Sequence, residues 1–196
     1  MTIKLLGIVL ASVVAAGCLT PTPYQRVTKE WTRKTQLRGP YQEVMQLAAT
    51  YKSAEWRAAY AQKDAQARGL SGAAREQRIA QAEAEASGPI EIHLLLTTWD
   101  RRENDLDHGK KSVWRVRMLD EAGGEVEPLE IVKDKRPLLV VRAEFPAMGD
   151  FATAYVAKFP RKTEPASVAG ASAPGKSIRL RLSSERGGVE VEWPVR

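Results

Sequence analysis

The spacing of apolar residues changes at Ser87-Gly88-Pro89, and this change constrains the fold more than any other feature of the chain. Upstream, apolar residues recur at steps of three and four, which is typical of a helix with one buried face. They are Val44, Leu47, Ala48, Tyr51, Ala54, Ala58, Ala61 and Ala65. Downstream, apolar and polar residues alternate, as in half-buried strands. The pattern predicts an α+β chain with a helical region over residues 27–87 and a β domain over residues 88–196.

Breaker and capping residues divide the helical region into three predicted helices. These helices cover residues 27–37, the segment from Pro40 to near Arg68, and the segment from a cap at Ser71 to Ala86. Gly69 is the expected stop signal of the second helix. The preceding residues 18–26 contain Pro21 and Pro23. Because proline removes a backbone donor and restricts φ, we expect a short extended tether there.

Two aromatic residues of the second predicted helix, Trp56 and Tyr60, lie one turn apart on a different face from Tyr51. They therefore need a contact beyond the one that buries the Tyr51 face. Packing against the short helix or the β domain is one interpretation, because aromatic residues at helical spacing are often core residues. Binding of a partner is the other, and it makes Trp56 and Tyr60 the candidate partner-binding residues.

The β domain is predicted to contain seven strands, with no helix-length segment between them. The strands are expected at residues 90–99, 112–119, 125–132, 137–145, 150–159, 177–183 and 188–193. This order excludes parallel βαβ units and favours an antiparallel, immunoglobulin-like sandwich. The residues expected to form its core are Trp114, Leu139, Val141, Ala143, Phe145, Phe151, Thr153, Tyr155, Ala157, Phe159 and Trp193. Residues 161–176, rich in Ala, Ser, Pro and Gly, are expected to form a loop.

Two hairpins can be predicted in register, because arginine and glutamate then face each other on one side while apolar residues face each other on the other. The predicted pairs are Arg181 with Glu190, Arg179 with Glu192, Arg117 with Glu125, and Arg115 with Glu127. The connecting turns are expected at residues 184–187 and 120–123. Such arginines lie on a solvated face and do not form a basic binding groove.

Little in the sequence resembles a catalytic site. Cys18 is the only cysteine, and His93 and His108 are the only histidines, so a histidine and cysteine zinc site is excluded. There is no Gly-x-Ser-x-Gly motif and no phosphate-binding glycine loop. His93 is expected at the edge of a sheet. We therefore predict a protein that is not an enzyme and has no cofactor.

The charges point away from nucleic acid as a partner. The net charge is +6, but basic and acidic residues are mostly interleaved. One local concentration of basic residues comes early in the chain, at Arg26, Lys29, Arg33, Lys34 and Arg38. It is explained either by a solvated helix face or by contact with anionic lipid headgroups.

The segment most similar to a ligand site is the charged loop over residues 100–111. Asp100, Asp105 and Asp107 have the oxygen-rich spacing of a calcium loop, but the terminal bidentate glutamate of an EF-hand is missing. An ordinary charged loop explains the same residues. A ligand- or calcium-binding module that uses this loop is the alternative function.

The first residues have the organisation of a signal peptide. Lys4 provides a positive start, and an uncharged, mostly apolar run follows from Leu5 to Ala16. This run is well below the roughly 20 residues that a membrane-spanning helix requires. We expect residues 1–17 to be removed after export.

The end of that run, Ala15-Ala16-Gly17-Cys18, resembles the lipobox of bacterial lipoproteins. The resemblance covers residues 1–18 and implies that Cys18 is acylated on its sulfur and becomes the first residue of the mature chain. In two-membrane bacteria an aspartate after the cysteine favours the inner membrane, so Leu19 implies the outer membrane. Together these features predict a noncatalytic scaffold or accessory lipoprotein that faces the periplasm and binds an envelope protein.

Overall fold

The computed structural model describes residues 22–40, 42–119, 124–161 and 177–194. The predicted signal peptide, Cys18, the turn at residues 120–123 and most of the loop at 161–176 lie outside these residues. The described chain forms an α+β fold with nine strands in two antiparallel sheets and four α-helices. None of these helices is both long enough and apolar enough to span a bilayer.

The elements follow one another with short connections. In chain order they are α1 (Pro23–Trp31), β1 (Thr32–Arg38), β2 (Glu43–Tyr51), α2 (Ala54–Ala67), α3 (Gly72–Ala86), β3 (Ile90–Thr98), β4 (Arg115–Leu119), β5 (Glu125–Val126), β6 (Glu130–Lys133), α4 (Leu138–Glu144), β7 (Thr153–Phe159), β8 (Ser177–Ser184) and β9 (Gly187–Pro194). Two 3₁₀ turns, Arg101–Glu103 and Leu106–Lys111, precede β4. The first sheet has the order β1-β2-β3-β7-β6, and the second has the order β5-β4-β8-β9.

Helix α1 begins earlier than predicted. The Thr22 side chain accepts a hydrogen bond from the Gln25 backbone, and the Gln25 side chain accepts one from the Thr22 backbone, while Pro23 occupies the first turn. The predicted extended tether is therefore wrong for residues 23–26. The predicted helix over 27–37 is also wrong, because α1 ends at Trp31 and residues 32–38 form strand β1.

Strand β2 occupies residues that the sequence pattern assigned to a helix. Both of its neighbours are strands, with Thr32 paired to Thr50 on one side and Tyr51 paired to Ile92 on the other. Its residues from Leu47 to Tyr51 are all buried, so both faces of the strand are covered. A strand of this kind loses the alternation by which half-buried strands are recognised.

The second predicted helix is confirmed only from Ala54 onward, as α2, and the third is confirmed as α3. Ser53 caps α2 by accepting a hydrogen bond from the Trp56 backbone, and Gly69, with φ of 65°, follows its end. Three alanines, Ala61, Ala65 and Ala82, are buried in this helical hairpin. Small side chains let two helices approach closely, which explains the alanine stripe.

The predicted boundary at residue 88 does not separate two structural units. The first sheet takes β1 and β2 from the chain before it and β3, β6 and β7 from the chain after it. Strand β3 therefore lies in the middle of this sheet. Helices and strands that were assigned to different regions share one hydrophobic cluster.

The predicted strand at 137–145 is wrong, because these residues form helix α4 after Pro137. In a helix, alternate residues do not share a face, so Leu139 is 78% exposed while Val141 and Phe145 are buried. The prediction that Phe151 is a core residue is also wrong, because 71% of its surface is exposed. The predicted strand at 125–132 is divided into β5 and β6.

The register of the β8–β9 hairpin is confirmed. Arg181 lies opposite Glu190, and Arg179 lies opposite Glu192. Gly187 follows the turn with φ of 124°, a conformation that favours glycine.

The β4–β5 register differs from the prediction by two residues. Met118 pairs with Val126, and Arg117 donates to Glu127 at 2.7 Å instead of facing Glu125 directly. A shift of two residues keeps every side chain on its predicted face.

The first sheet is covered on both faces. On one face, Tyr51 packs against Trp193 of the second sheet with ring centroids 6.2 Å apart. On the other face, His93 packs against Phe145, which follows α4. Trp114 and Trp193 are buried, as predicted. Helix α4 and the second sheet therefore lie on opposite sides of the first sheet.

Candidate functional site beneath the helices

Four aromatic rings are stacked between the helices and the first sheet. Tyr60 and Trp56 of α2 are nearly parallel at 5.3 Å, Trp56 and Phe145 at 5.6 Å, and Phe145 and His93 at 3.6 Å between centroids. The spacing of four residues places both α2 rings on one face of that helix. The stack joins α2, the end of α4 and the centre of β3.

The two candidate partner-binding residues belong to this stack. Trp56 is 3% exposed, and its indole N–H donates to the Thr28 hydroxyl of α1 at 3.1 Å. Tyr60 is half-buried, and its hydroxyl donates to Glu144 at 2.8 Å. The intramolecular interpretation of these aromatics is the one that the structure supports, and Trp56 presents no surface to a partner.

His93 is fully buried at the bottom of the stack, on the central strand and not at the sheet edge that the sequence suggested. Burial lowers the pKa of its imidazole, so the ring is neutral. Its Nε2–H donates to Asp134 Oδ2 at 3.2 Å, because a carboxylate can only accept. Its Nδ1 is buried and has no hydrogen-bond partner among the described residues.

Asp134 connects the histidine to a chain of charged groups. The hydrogen bond from His93, together with Arg136, holds the pKa of Asp134 well below its usual range. The Arg136 guanidinium lies 2.7 Å from Asp134 Oδ2 and 2.7 Å from Glu144 Oε2. Glu144 in turn accepts from Tyr60, and burial raises the pKa of Tyr60 to about 12. We call His93, Asp134, Arg136, Glu144 and Tyr60 the buried network.

A second set of ion pairs fastens the helical hairpin to the sheet. Arg57 of α2 donates to Glu85 of α3 at 3.0 Å and to Glu91 of β3 at 2.9 Å. Lys52 also contacts Glu91, at 3.2 Å. Burial raises the pKa of Glu91, but the positive charges of Lys52 and Arg57 outweigh this effect and keep the pKa below its usual value. The contacts fix the orientation of α2 and α3 against β3.

A small cavity and a larger groove lie near these groups. The smaller, of about 80 Å³, lies beside the buried network and is lined by Arg78, Arg136 and Glu144, among others. This volume suits water or a very small ion and is below the range of about 300 to 1,000 Å³ for small-molecule sites. The larger is an open groove of about 400 Å³ over β1, β2 and β3, with Gln46 and Leu95 in its lining.

The loop at 100–111 gives its three aspartates separate environments. The Arg102 side chain binds Asp100, whose pKa it lowers to about 2. Asp105 is buried and accepts hydrogen bonds from the Ser112 hydroxyl at 2.8 Å and the Val113 backbone at 3.1 Å. Asp107 is exposed. Within the described ranges, no three His, Cys, Asp or Glu side chains are grouped to hold a metal ion.

The buried network was not predicted from the sequence. Its members come from α2, β3, the segment after β6 and α4, and α4 was predicted as a strand. The capping signature at Thr22 and Gln25 was available, and it would have placed α1 correctly. No local motif connects His93 to Asp134.

Comparison of the chain with models of known protein families, with curated proteins and with solved structures finds no match. The site is therefore interpreted from its own residues.

Proposed function

We propose that this protein is a lipid-anchored envelope lipoprotein that acts as a noncatalytic scaffold or accessory protein-interaction module. The observation that carries the proposal is the lipobox-like Ala15-Ala16-Gly17-Cys18. Acylation of Cys18 would supply more than one chain, and each buried methylene contributes about 0.8 kcal/mol to membrane binding. Leu19 favours the outer membrane, with the body in the periplasm.

The position of α1 supports this proposal, because it connects the anchor firmly to the folded body. Thr22 follows Cys18 by four residues, which span at most about 14 Å. Tyr24 and Trp31 of α1 are both buried, and Trp31 accepts a hydrogen bond on its carbonyl from the Trp193 indole at 2.8 Å. An anchor at Cys18 would therefore hold the body close to the membrane surface.

Two surfaces are available to an envelope protein partner. Helix α3 buries only Ala82 and exposes most of its other residues. The open groove over β1, β2 and β3 has the exposed Gln46 in its lining. A scaffold needs accessible surface and does not need a reactive side chain on that surface. The burial of His93, which keeps its imidazole away from the surface, is consistent with such a role.

The immunoglobulin-like sandwich remains part of the proposal. Both antiparallel sheets contribute to one hydrophobic cluster, with Leu94 from the first sheet and Leu180 from the second, which supports face-to-face packing.

The anchor is tested by fractionation of native membranes. We expect the parent chain in the outer-membrane fraction and the Cys18→Ser variant, unprocessed or released, outside it. Leu19→Asp is the matched control, since it keeps the acylated cysteine and is expected to move the chain to the inner membrane. A Cys18→Ser variant that is processed and remains equally membrane-bound would overturn the anchor.

The partner is tested by photo-crosslinking in intact cells. A photoreactive residue at Gln46 or at Ala80 of α3 should capture one defined envelope protein, and the same residue at buried Ala49 should capture none. Absence of any adduct at both exposed positions would contradict the scaffold role while leaving the anchor result unaffected.

A further inference from the structure

We propose that the exposed apolar first turn of α4 is a second membrane contact, which inserts into the headgroup region of an anionic bilayer beside the lipid anchor. This inference deepens the proposed function and rests on the lipid anchor at Cys18. It concerns Leu138, Leu139 and Val140, together with the basic residues around them, and we call these three residues the apolar patch.

The apolar patch has no cover within the described chain. Leu139 is 78% exposed, Leu138 is 48% exposed and Val140 is 43% exposed, whereas the next residue, Val141, is 1% exposed. Three consecutive large apolar side chains in water are unfavourable, and such patches mark contact sites. A helix that lies in a membrane surface presents side chains of this kind to the acyl boundary.

Exposed basic side chains in the segment before α4 and on α1 suit an anionic surface. Lys133 and Lys135 are exposed in the segment that leads into α4, and Arg26 and Lys29 are exposed on α1. Each basic residue near an anionic bilayer contributes about 1 kcal/mol.

Two further cations near the patch are matched within the protein. Arg136 pairs with Asp134 and Glu144, and Arg142 pairs with Asp150 at 2.9 Å. The attraction to lipid therefore depends on the four exposed basic residues and not on these arginines.

The position of α4 identifies the bilayer as the occupant. The Tyr24 hydroxyl, in the first turn of α1, donates to the backbone carbonyl of Glu144 at the end of α4 at 2.9 Å. Lys63 lies over the Tyr24 ring at 4.3 Å and donates to the carbonyl of Ala143. Helix α4 has seven residues and a length of about 10 Å. The patch thus lies within about one length of α4 from the helix into which the chain from Cys18 leads.

The chain offers a clean labelling experiment, because Cys18 is its only cysteine and acylation would block that thiol. A Val140→Cys variant of the full, lipidated chain can be labelled with the environment-sensitive dye NBD. It is then placed in vesicles of phosphatidylethanolamine and phosphatidylglycerol that carry a lipid-attached quencher. We expect a blue-shifted emission that the quencher reduces. In vesicles of phosphatidylcholine alone, we expect a smaller blue shift and less quenching.

Val113→Cys is the matched control. Val113 is 46% exposed, close to the 43% of Val140, and it precedes β4 in the second sheet, on the far side of the first sheet from α4. We expect the dye at position 113 to show the emission of an aqueous environment, without quenching, with vesicles of either composition. Leu138→Ser/Leu139→Ser in the Val140→Cys chain should return the dye at 140 to the value seen at 113, with unchanged circular dichroism.

Equal emission at 140 and 113 would overturn the proposal. So would a signal at 140 that depends on protein density and not on lipid composition, because a second copy of the chain would then cover the patch.

Failure of the anchor is a separate result, because the parent chain would then take up the dye at Cys18. In that case Cys18→Ser chains are tested for flotation with the same vesicles. Binding that falls about tenfold on Leu138→Ser/Leu139→Ser supports the patch, and unchanged binding contradicts it.

Discussion

Two sets of arginine and carboxylate pairs in this molecule have different surroundings. On the outer face of the second sheet, Arg181 and Glu190 approach to 2.6 Å with their side chains 39% and 43% exposed. Beneath the helices, the Arg136 side chain is 40% exposed, but it contacts Asp134 and Glu144, whose side chains are only 4% and 10% exposed. Water therefore reaches both partners of the first pair, whereas in the second set it reaches the arginine and hardly reaches the carboxylates.

The exposure of the carboxylates indicates which pairs the stability of the fold depends on. Exposed ion pairs contribute about 0 to 1 kcal/mol, because water and salt weaken the attraction. Removing one partner of a buried pair costs about 3 to 5 kcal/mol, because the other partner stays desolvated without a counter-charge. The buried network also contains His93, which has lost all contact with water. We therefore expect stability to depend on the buried network and hardly at all on the exposed pairs.

The largest expected effect is that of Asp134→Ala. This change leaves the Nε2–H of His93 without its acceptor and removes one of the two carboxylates that bind Arg136. We expect the free energy of unfolding, measured by urea denaturation, to fall by about 3 kcal/mol. Glu190→Ala is the matched control from the exposed face and should cost less than about 1 kcal/mol. Equal losses in the two variants would contradict the comparison.

An intermediate effect is expected when the pH is lowered. Burial, assisted by Lys52 and Arg136 and opposed by Asp134, lowers the pKa of His93 in the folded state. An unfolded histidine binds a proton below about pH 6.5, so stability should fall as the pH drops through that value. The slope is at most about 1.4 kcal/mol per pH unit. The lowered pKa of Asp134 acts in the same direction, but only below the unfolded aspartate value of about 3.9.

Urea denaturation at several pH values between about 5 and 7 checks this expectation, because this range lies above the unfolded pKa values of Asp134 and Glu91. His93→Gln should remove the slope, and His108→Ala, which changes an exposed histidine, should retain it. A slope that survives in His93→Gln would show that another group causes it.

The smallest effect is expected for the exposed pair itself. A double-mutant cycle on Arg181→Ala and Glu190→Ala should give a coupling energy of about 0.5 kcal/mol at low salt. High salt should reduce this value further. A coupling energy above about 2 kcal/mol would show that the exposed pair contributes to stability as a buried pair does, and it would contradict the comparison.

The parts of the fold that were predicted correctly have one solvated face. In β8 and β9, arginines and glutamates alternate with Leu180, Leu182 and Val191, so the sequence specifies which face is buried and which residues pair. In β2 both faces are buried, and Val44, Leu47, Ala48 and Tyr51 also match the helical spacing. Only the pairing with β1 and β3 decides between strand and helix, and that pairing is not a local property.

The site was less predictable than the fold for a related reason. His93 was expected at a sheet edge because β1 and β2 were not recognised, and two additional strands place β3 at the centre of the sheet. Helix α4 is seven residues long and carries Leu139, Val141 and Phe145 at alternate positions, which is also a strand pattern. The packing of Trp56 inside the molecule was one of the two interpretations, and burial decided in its favour.

The hydrogen bond from the Trp193 indole to the Trp31 carbonyl joins residues 162 positions apart. Trp193 is also fully buried against Tyr51. Contacts between such distant parts of a chain form late in folding, because the long loop between them must close first. The body can therefore complete its core only after β9 has been synthesised. Until then the chain stays open, so we expect any product that lacks β9 to be cleaved readily by proteases.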